Sequence, residues 1–195
     1  METIDTIEKV ITERRTVKPQ QYNGHKIEKT TIERLLQLAD WAPTHGLTEP
    51  WRFVVFAGEG VHRFCQDHAD LYKNNTAPDM FMKGSYEKLI DQGHNASHII
   101  AVFSKRGTKS NITKLEEICA TAAAVQNILI GAEALGIAAF WSTGGQTLKP
   151  SMKSYLQLLE EDEMIGLLYM GYSDAPKSPG RRLTPVEEKV MWYNR

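Results

Sequence analysis

The longest helical run in this chain of 195 residues, Ile112 to Leu135, carries the string ICATAAAVQNILIGAEAL, which is rich in alanine and branched aliphatics. Small side chains along it suit close packing against other elements. Four short apolar runs are the candidates for strands, by their β-branched and aromatic content: Trp51 to Ala57 (WRFVVFA), His98 to Ser104 (HIIAVFS), Ile137 to Trp141, and Met164 to Tyr169 (MIGLLY). Ile4, Ile7, Val10 and Ile11 recur at helical spacing over residues 3–13. Further helices are expected from a cap at Thr30 or Thr31 to about Ala42, ended by Pro43, from Gly60 to Tyr72, and from Lys149 to Glu160. Lys73 to Ser85 reads as loop, and the tail from Asp174 is rich in proline and basic residues. Long helices outnumber the strands they separate, which favours a layered α+β sandwich over an open parallel sheet.

One domain, residues 1–195, is the expectation from length. Twenty-three basic and twenty-four acidic residues leave a formal charge of -1, so no global field draws the chain to nucleic acid or an anionic membrane. Any bound anion must be held by local groups. The N-terminus METIDTIEKVITERR lacks the basic-then-apolar order of a signal peptide, and no apolar run approaches the ~20 residues that span a bilayer. A cytoplasmic location is expected. Cys65 and Cys119 are far apart and lack a CxxC partner, which suggests neither a zinc site nor a disulfide framework.

Four segments have residue types suited to a polar ligand. Arg14-Arg15-Thr16-Val17-Lys18 sets three cations and a hydroxyl just past a helix end, where guanidinium forks grip phosphate; cations also simply favour a helix C-terminus. Pro43-Thr44-His45, in a loop stiffened by Pro43 and Pro50, offers a hydroxyl and an imidazole, although a lone histidine is commonly only a hydrogen-bonding residue. Trp141-Ser142-Thr143-Gly144-Gly145 ends a strand in small residues that let backbone amides approach a ligand, as a plain turn also does. Lys177, Arg181 and Arg182 form a basic loop that either closes over a phosphate or stays solvated.

Two other patterns fail on spacing. Gly58-Glu-Gly60 lies between a strand and a helix, but Arg63 stands where a dinucleotide fingerprint needs its third glycine. A nucleotide binder of that type would keep its ligand after loss of Arg14 and Arg15. His94 and His98 are four apart without an acidic or sulfur partner, and His98 begins a strand, so no metal site is expected.

In order along the chain, RRTVK, APTHGLTEPW, the alanine-rich helix with Gln126-Asn127, GIAAFWSTGG and GYSDAPKSPGRR resemble the nitroreductase family. The likeness covers nearly the whole chain. It implies a three-layer α-β-α sandwich with a central, mostly antiparallel sheet, and an obligate homodimer with FMN in clefts at the subunit interface. It further implies that Arg14 binds the FMN phosphate, that Arg15 and Thr16 neighbour the phosphate and ribityl chain, and that Lys18 is the cation near the flavin N1 and O2. Pro43, Thr44 and His45 would come from the second subunit. Trp141, Ser142, Thr143 and Gly144 would lie along the isoalloxazine, and Arg181 or Arg182 would reach the phosphate. Two departures stand out: Leu47, Thr48 and Glu49 occupy the stretch where many members have Asn and Gln, and Thr143 stands where a glutamate is often found.

The implied activity is electron transfer from NADH or NADPH to a small electrophile such as a nitroaromatic or quinone, by a ping-pong route. Catalytic side chains beyond the flavin are not required; Lys18 would stabilise charge left at N1 and O2. The alternatives are a relative with other flavin chemistry, such as dehalogenation or flavin breakdown, and an FMN-binding protein that transfers no electrons. Relatives of the first kind generally carry extra lid elements, for which only residues 73–95 are available.

Overall fold

In the computed structural model, residues 2–194 are described. Two strands lie at the centre of the sheet, β2 (His98–Ser104) and β4 (Glu163–Gly171), flanked by β1 (Trp51–Ala57) and β3 (Ala138–Ser142) in the order β1-β2-β4-β3. Every neighbouring pair is antiparallel. The inner strands are apolar on both faces because both faces are covered. Ile100, Val102, Leu168 and Met170 pack on one side with helices α2 (Lys29–Asp40) and α5 (Lys114–Ala134). Ile99, Ala101, Leu167 and Tyr169 pack on the other, with Val61, Phe64 and Cys65 of α3 (Glu59–Asn74) and Met152 of α6 (Pro150–Tyr155). The result is the three-layer α-β-α sandwich that the resemblance implies.

The alanine-rich run is the central helix of the first layer. Thr113 caps it by accepting the Glu116 amide at 3.3 Å, and the Glu116 carboxylate accepts the Thr113 amide at 2.6 Å, a reciprocal capping box. Contrary to expectation, α5, with its 21 residues, is long and apolar enough to cross a membrane by length and composition alone. Ala124, Val125 and Ile128 are nevertheless fully buried against the sheet and α2, which makes it a core helix of this fold.

Several expected boundaries move. The second helix begins after Glu28, with Thr30 and Thr31 already in its first turn. Its cap position is extended backbone without a side-chain bond, so the threonine signal pointed two to three residues too late. The expected 149–160 helix is only α6, because Gln157 takes a left-handed conformation at φ 56 and the chain turns away. Within the stretch read as loop, only residues 75–82 are irregular; α4 (Lys83–Asp91) follows and packs on α3. Gly58 and Gly60 open α3 after β1, but β1 runs antiparallel to β2, which rules out a βαβ nucleotide unit there. His98 begins β2 as expected, and no cluster of three metal-ligating side chains exists among the described residues.

One irregularity sets the site. Val102 pairs with Gly166 and Phe103 with Met164, so Ile165 is an extra residue, a bulge in β4. At this bulge the Trp141 indole Nε1 donates to the Ile165 carbonyl at 3.0 Å, and the ring lies over Gly166.

Candidate active site

At the end of β3 the sheet opens into a cavity of about 420 Å³. Phe140, Trp141 and Ser142 form one wall, and the turn Thr143-Gly144-Gly145 closes its end. Lys18 and Gln20 enter from the N-terminal segment, which is laid beside β3 by a parallel bridge from Thr16 to Ala139 and by the Val17 amide donating to the Ala139 carbonyl at 3.1 Å. The opposite wall comes from Tyr72 of α3 and from Ser85, Lys88, Leu89 and Gln92 along α4 and its end. Spacings of three and four put those last four on one helix face. That periodicity was present in the sequence, but α4 was not recognised and its residues went with it.

The wall is held from the core. Gly166 has φ 153, and a Cβ there would fall 2.2 Å from Trp141 Nε1, so only glycine lets the indole lie where it does. Gly145 has φ 62 and rests on the buried ring of His68, whose Nε2 accepts the Gln146 amide at 3.0 Å. Burial lowers the His68 pKa to about 4. Sequence reasoning passed over His68, since nothing marks a lone histidine inside a helix. The Gly144 amide faces only Ser142 Oγ, at a long 3.4 Å.

The remaining expected residues lie elsewhere. Arg15 directs Nη1 to the carbonyls of Thr12 and Arg14 at 2.6 and 2.7 Å and Nε to that of Ser178 at 3.0 Å, and its guanidinium packs on Gly180. The basic tail is thereby drawn alongside the RRTVK segment, one residue short of Arg181. Arg182 donates to the Arg181 carbonyl at 3.0 Å, and both are exposed. Lys177 instead pairs with Glu133 of α5.

Pro43, Thr44 and His45 are not part of the cavity. They border a second hollow, with Glu116, Cys119, Ala120 and Ala123. His45 Nδ1 lies 2.7 Å from Glu116 Oε1, and the Thr44 and Thr48 hydroxyls are 2.9 Å apart. Bonds from the Thr113 amide first, then from His45, pull the Glu116 carboxyl down to about 2. Leu47 and Glu49 sit at φ 54 and 42, left-handed backbone that costs a non-glycine residue roughly 1–3 kcal/mol. This departure from the family pattern is thus also a strained turn.

Residues 11–172 match the model of the nitroreductase family. The chain belongs to this family. Among its relatives is YdjA of Escherichia coli strain K12, named provisionally as an NAD(P)H nitroreductase, 30% identical over 144 residues that span 72% of this chain and 74% of YdjA. A nitroreductase-like family protein from Bacillus cereus superposes with a TM-score of 0.82 at 27% identity, over 100% of both chains. The FMN-dependent nitroreductase NfnB from Mycobacterium smegmatis, crystallised with NADPH, superposes with a TM-score of 0.75 at 16% identity, over 99% of this chain and 100% of that one.

Proposed function

We propose that this chain is an FMN-dependent oxidoreductase, a single domain that carries electrons from NADH or NADPH to a small, flat electrophile. The observation that carries the reading is the cavity itself, where Lys18, Lys88 and an exposed glycine turn surround a slot walled by Trp141. Its donor set fits an isoalloxazine: two ammonium groups for an electron-rich edge, an aromatic wall, and polar Ser85 and Gln92. Gln92 is buried there, and its Oε1 has no partner among the described residues. In this reading Arg14, with Arg181 or Arg182, would hold the phosphate, and Thr16 would neighbour the ribityl chain. Arg15 contributes by holding the tail in place.

FMN bound there would supply the two-electron chemistry, accepting a hydride from the nicotinamide and delivering it onward. Lys18 and Lys88 place positive charge at the wall before any reaction occurs, which favours the anionic product of reduction without moving a proton. Thr143 and Gly144 offer a hydroxyl and an amide, the latter held only by a long bond to Ser142 Oγ, at the end of the slot. Phe140 and Trp141 exclude water from one face. A single cavity serving both donor and acceptor requires them to bind in turn, hence ping-pong kinetics. The residues 75–82 between α3 and α4 are too few for a folded lid, which favours a tolerant reductase over relatives with more elaborate flavin chemistry.

The working unit in this reading is a homodimer in the cytoplasm. Ile4, Ile7 and Ile11 form an exposed apolar face on α1 (Thr3–Glu13), Trp41 is 87% exposed, and the tail leaves Met191, Trp192 and Tyr193 in solvent. So much large apolar surface marks an interface. In the dimer, Pro43, Thr44 and His45 would complete the partner's cavity. Both cysteines are free, in keeping with a reducing compartment.

The deciding experiment is an anaerobic absorbance spectrum of the protein reconstituted with FMN, before and after NADH or NADPH. A bound flavin that bleaches is expected. A flavin that binds and never bleaches would leave a non-enzymatic flavoprotein, and failure to bind FMN would sink the reading.

A further inference from the structure

His68 stands on α3, outside the cavity, yet its ring carries the turn that closes it. Because Nε2 accepts the Gln146 amide at 3.0 Å, it holds no proton, and Nδ1 must hold it. That Nδ1 has no partner among the described residues, and the side chain is buried. A leucine would fill the same space without stranding an N–H group in the core. What leucine could not do is accept the amide. Burial keeps the ring neutral, with a pKa of about 4, so the acceptor persists at neutral pH.

The rest of the turn has little freedom. Gly145 lies against the ring, where a Cβ would come 2.7 Å from Nε2. Thr147 Oγ1 donates to the Gly144 carbonyl at 2.6 Å, and Ser151 Oγ to the Gln146 side-chain carbonyl at 2.7 Å. The Gly145–Gln146 peptide is trans, so its C=O points opposite its N–H. The Gly145 carbonyl is therefore turned away from the imidazole, and Gly145 borders the cavity. A half turn of this peptide would set that oxygen against the Nε2 lone pair, two acceptors in contact.

We infer that His68 is a positioning residue that locks the Gly145–Gln146 peptide and thereby sets how strongly the cavity prefers reduced over oxidised flavin. The inference rests on the FMN reading above. Reduction converts a flavin N5 from a hydrogen-bond acceptor into a donor, so a wall whose amides and carbonyls cannot exchange places discriminates between the two forms.

The test compares His68→Leu, which removes the acceptor, with His68→Gln, which keeps one. Two quantities are measured on the full chain: amide hydrogen exchange at Gln146 without flavin, and the midpoint potential of bound FMN. His68→Leu should speed the exchange and change the relative affinity for the two flavin forms about tenfold, a shift of about 30 mV for a two-electron couple. His68→Gln should leave both near wild type. Wild-type exchange and potential in His68→Leu would overturn the inference, as would a His68→Gln variant displaced just as far. Should the leucine variant fail to fold, His68→Met takes its place with the same outcomes. If wild type binds no FMN, the flavin reading falls; if it binds FMN and His68→Leu changes nothing, only this inference falls.

Discussion

Two hollows in this molecule are held by different means. Around Trp141 to Gly145 the backbone is fixed by buried partners: the bulge at Ile165, the glycine under the indole, and a histidine that is 1% exposed. Around Pro43 to His45 it is fixed by polar links in water: the His45 and Glu116 side chains that meet there are 57% and 40% exposed, and Lys109 reaches the Gly46 carbonyl from another loop. Packing determines the first shape whatever lies outside the chain. Exposed links are individually weak, because water competes for each group, so the second shape is held less firmly than the first.

The sharpest way to break this contrast is Gly166→Ala. Its new Cβ would meet the indole, and overpacking plus the unfavourable φ should cost roughly 3–5 kcal/mol, read by chemical denaturation, with FMN retention lost. Near-native stability would mean that the wall is not set by packing at all. Acid should strike the same side of the molecule. The unfolded chain protonates His68 near 6.5 and the folded chain only near 4. Between these values the unfolded state binds the extra proton, so stability declines as pH falls from about 6.5 to about 4, by roughly 3 kcal/mol from this group. His68→Leu should flatten that slope in denaturation curves at the two pH limits; an unchanged slope would assign it to other groups.

Arg14→Ala tests the proposed phosphate site, which lies in neither hollow's lining. Removing charge-assisted bonds should weaken FMN binding by roughly 1.5–3 kcal/mol while leaving the melting temperature nearly unaltered. Titration of the apoprotein with FMN decides it, and unchanged affinity would remove Arg14 from the phosphate site. Glu116→Gln should have the smallest effect on stability and show mainly as faster amide exchange over Gly46 to Glu49. Exchange as slow as in wild type would show that the loop does not depend on His45 being tethered.

The strands β1 and β2 were legible to the residue because WRFVVFA and HIIAVFS are runs that only a covered sheet can use. The helix α4 was not, since Leu89 is its one buried residue and KGSYEKLID shows little apolar stripe. With it went Ser85, Lys88 and Gln92, three of the five residues in the wall opposite β3. The 149–160 helix was drawn too long because Leu156, Leu158 and Leu159 continue an apolar pattern across a left-handed turn at Gln157 that no local signal announces. Lys18 and Trp141 to Gly144 were found as a group through the resemblance, and the cavity does bring them together. His68 and Gly166 act through contacts with residues distant in the chain, and no pattern within their own segments shows what they touch.

The bond from Arg15 to the Ser178 carbonyl joins residues 163 positions apart. Neither end of that clasp can close on the other until Ser178 has been synthesised, and contacts of such long range are slow to find. During biosynthesis the first basic segment therefore leaves the ribosome long before its counterpart exists. Assembly of this corner of the molecule must wait for the later segment, however early the first one emerges.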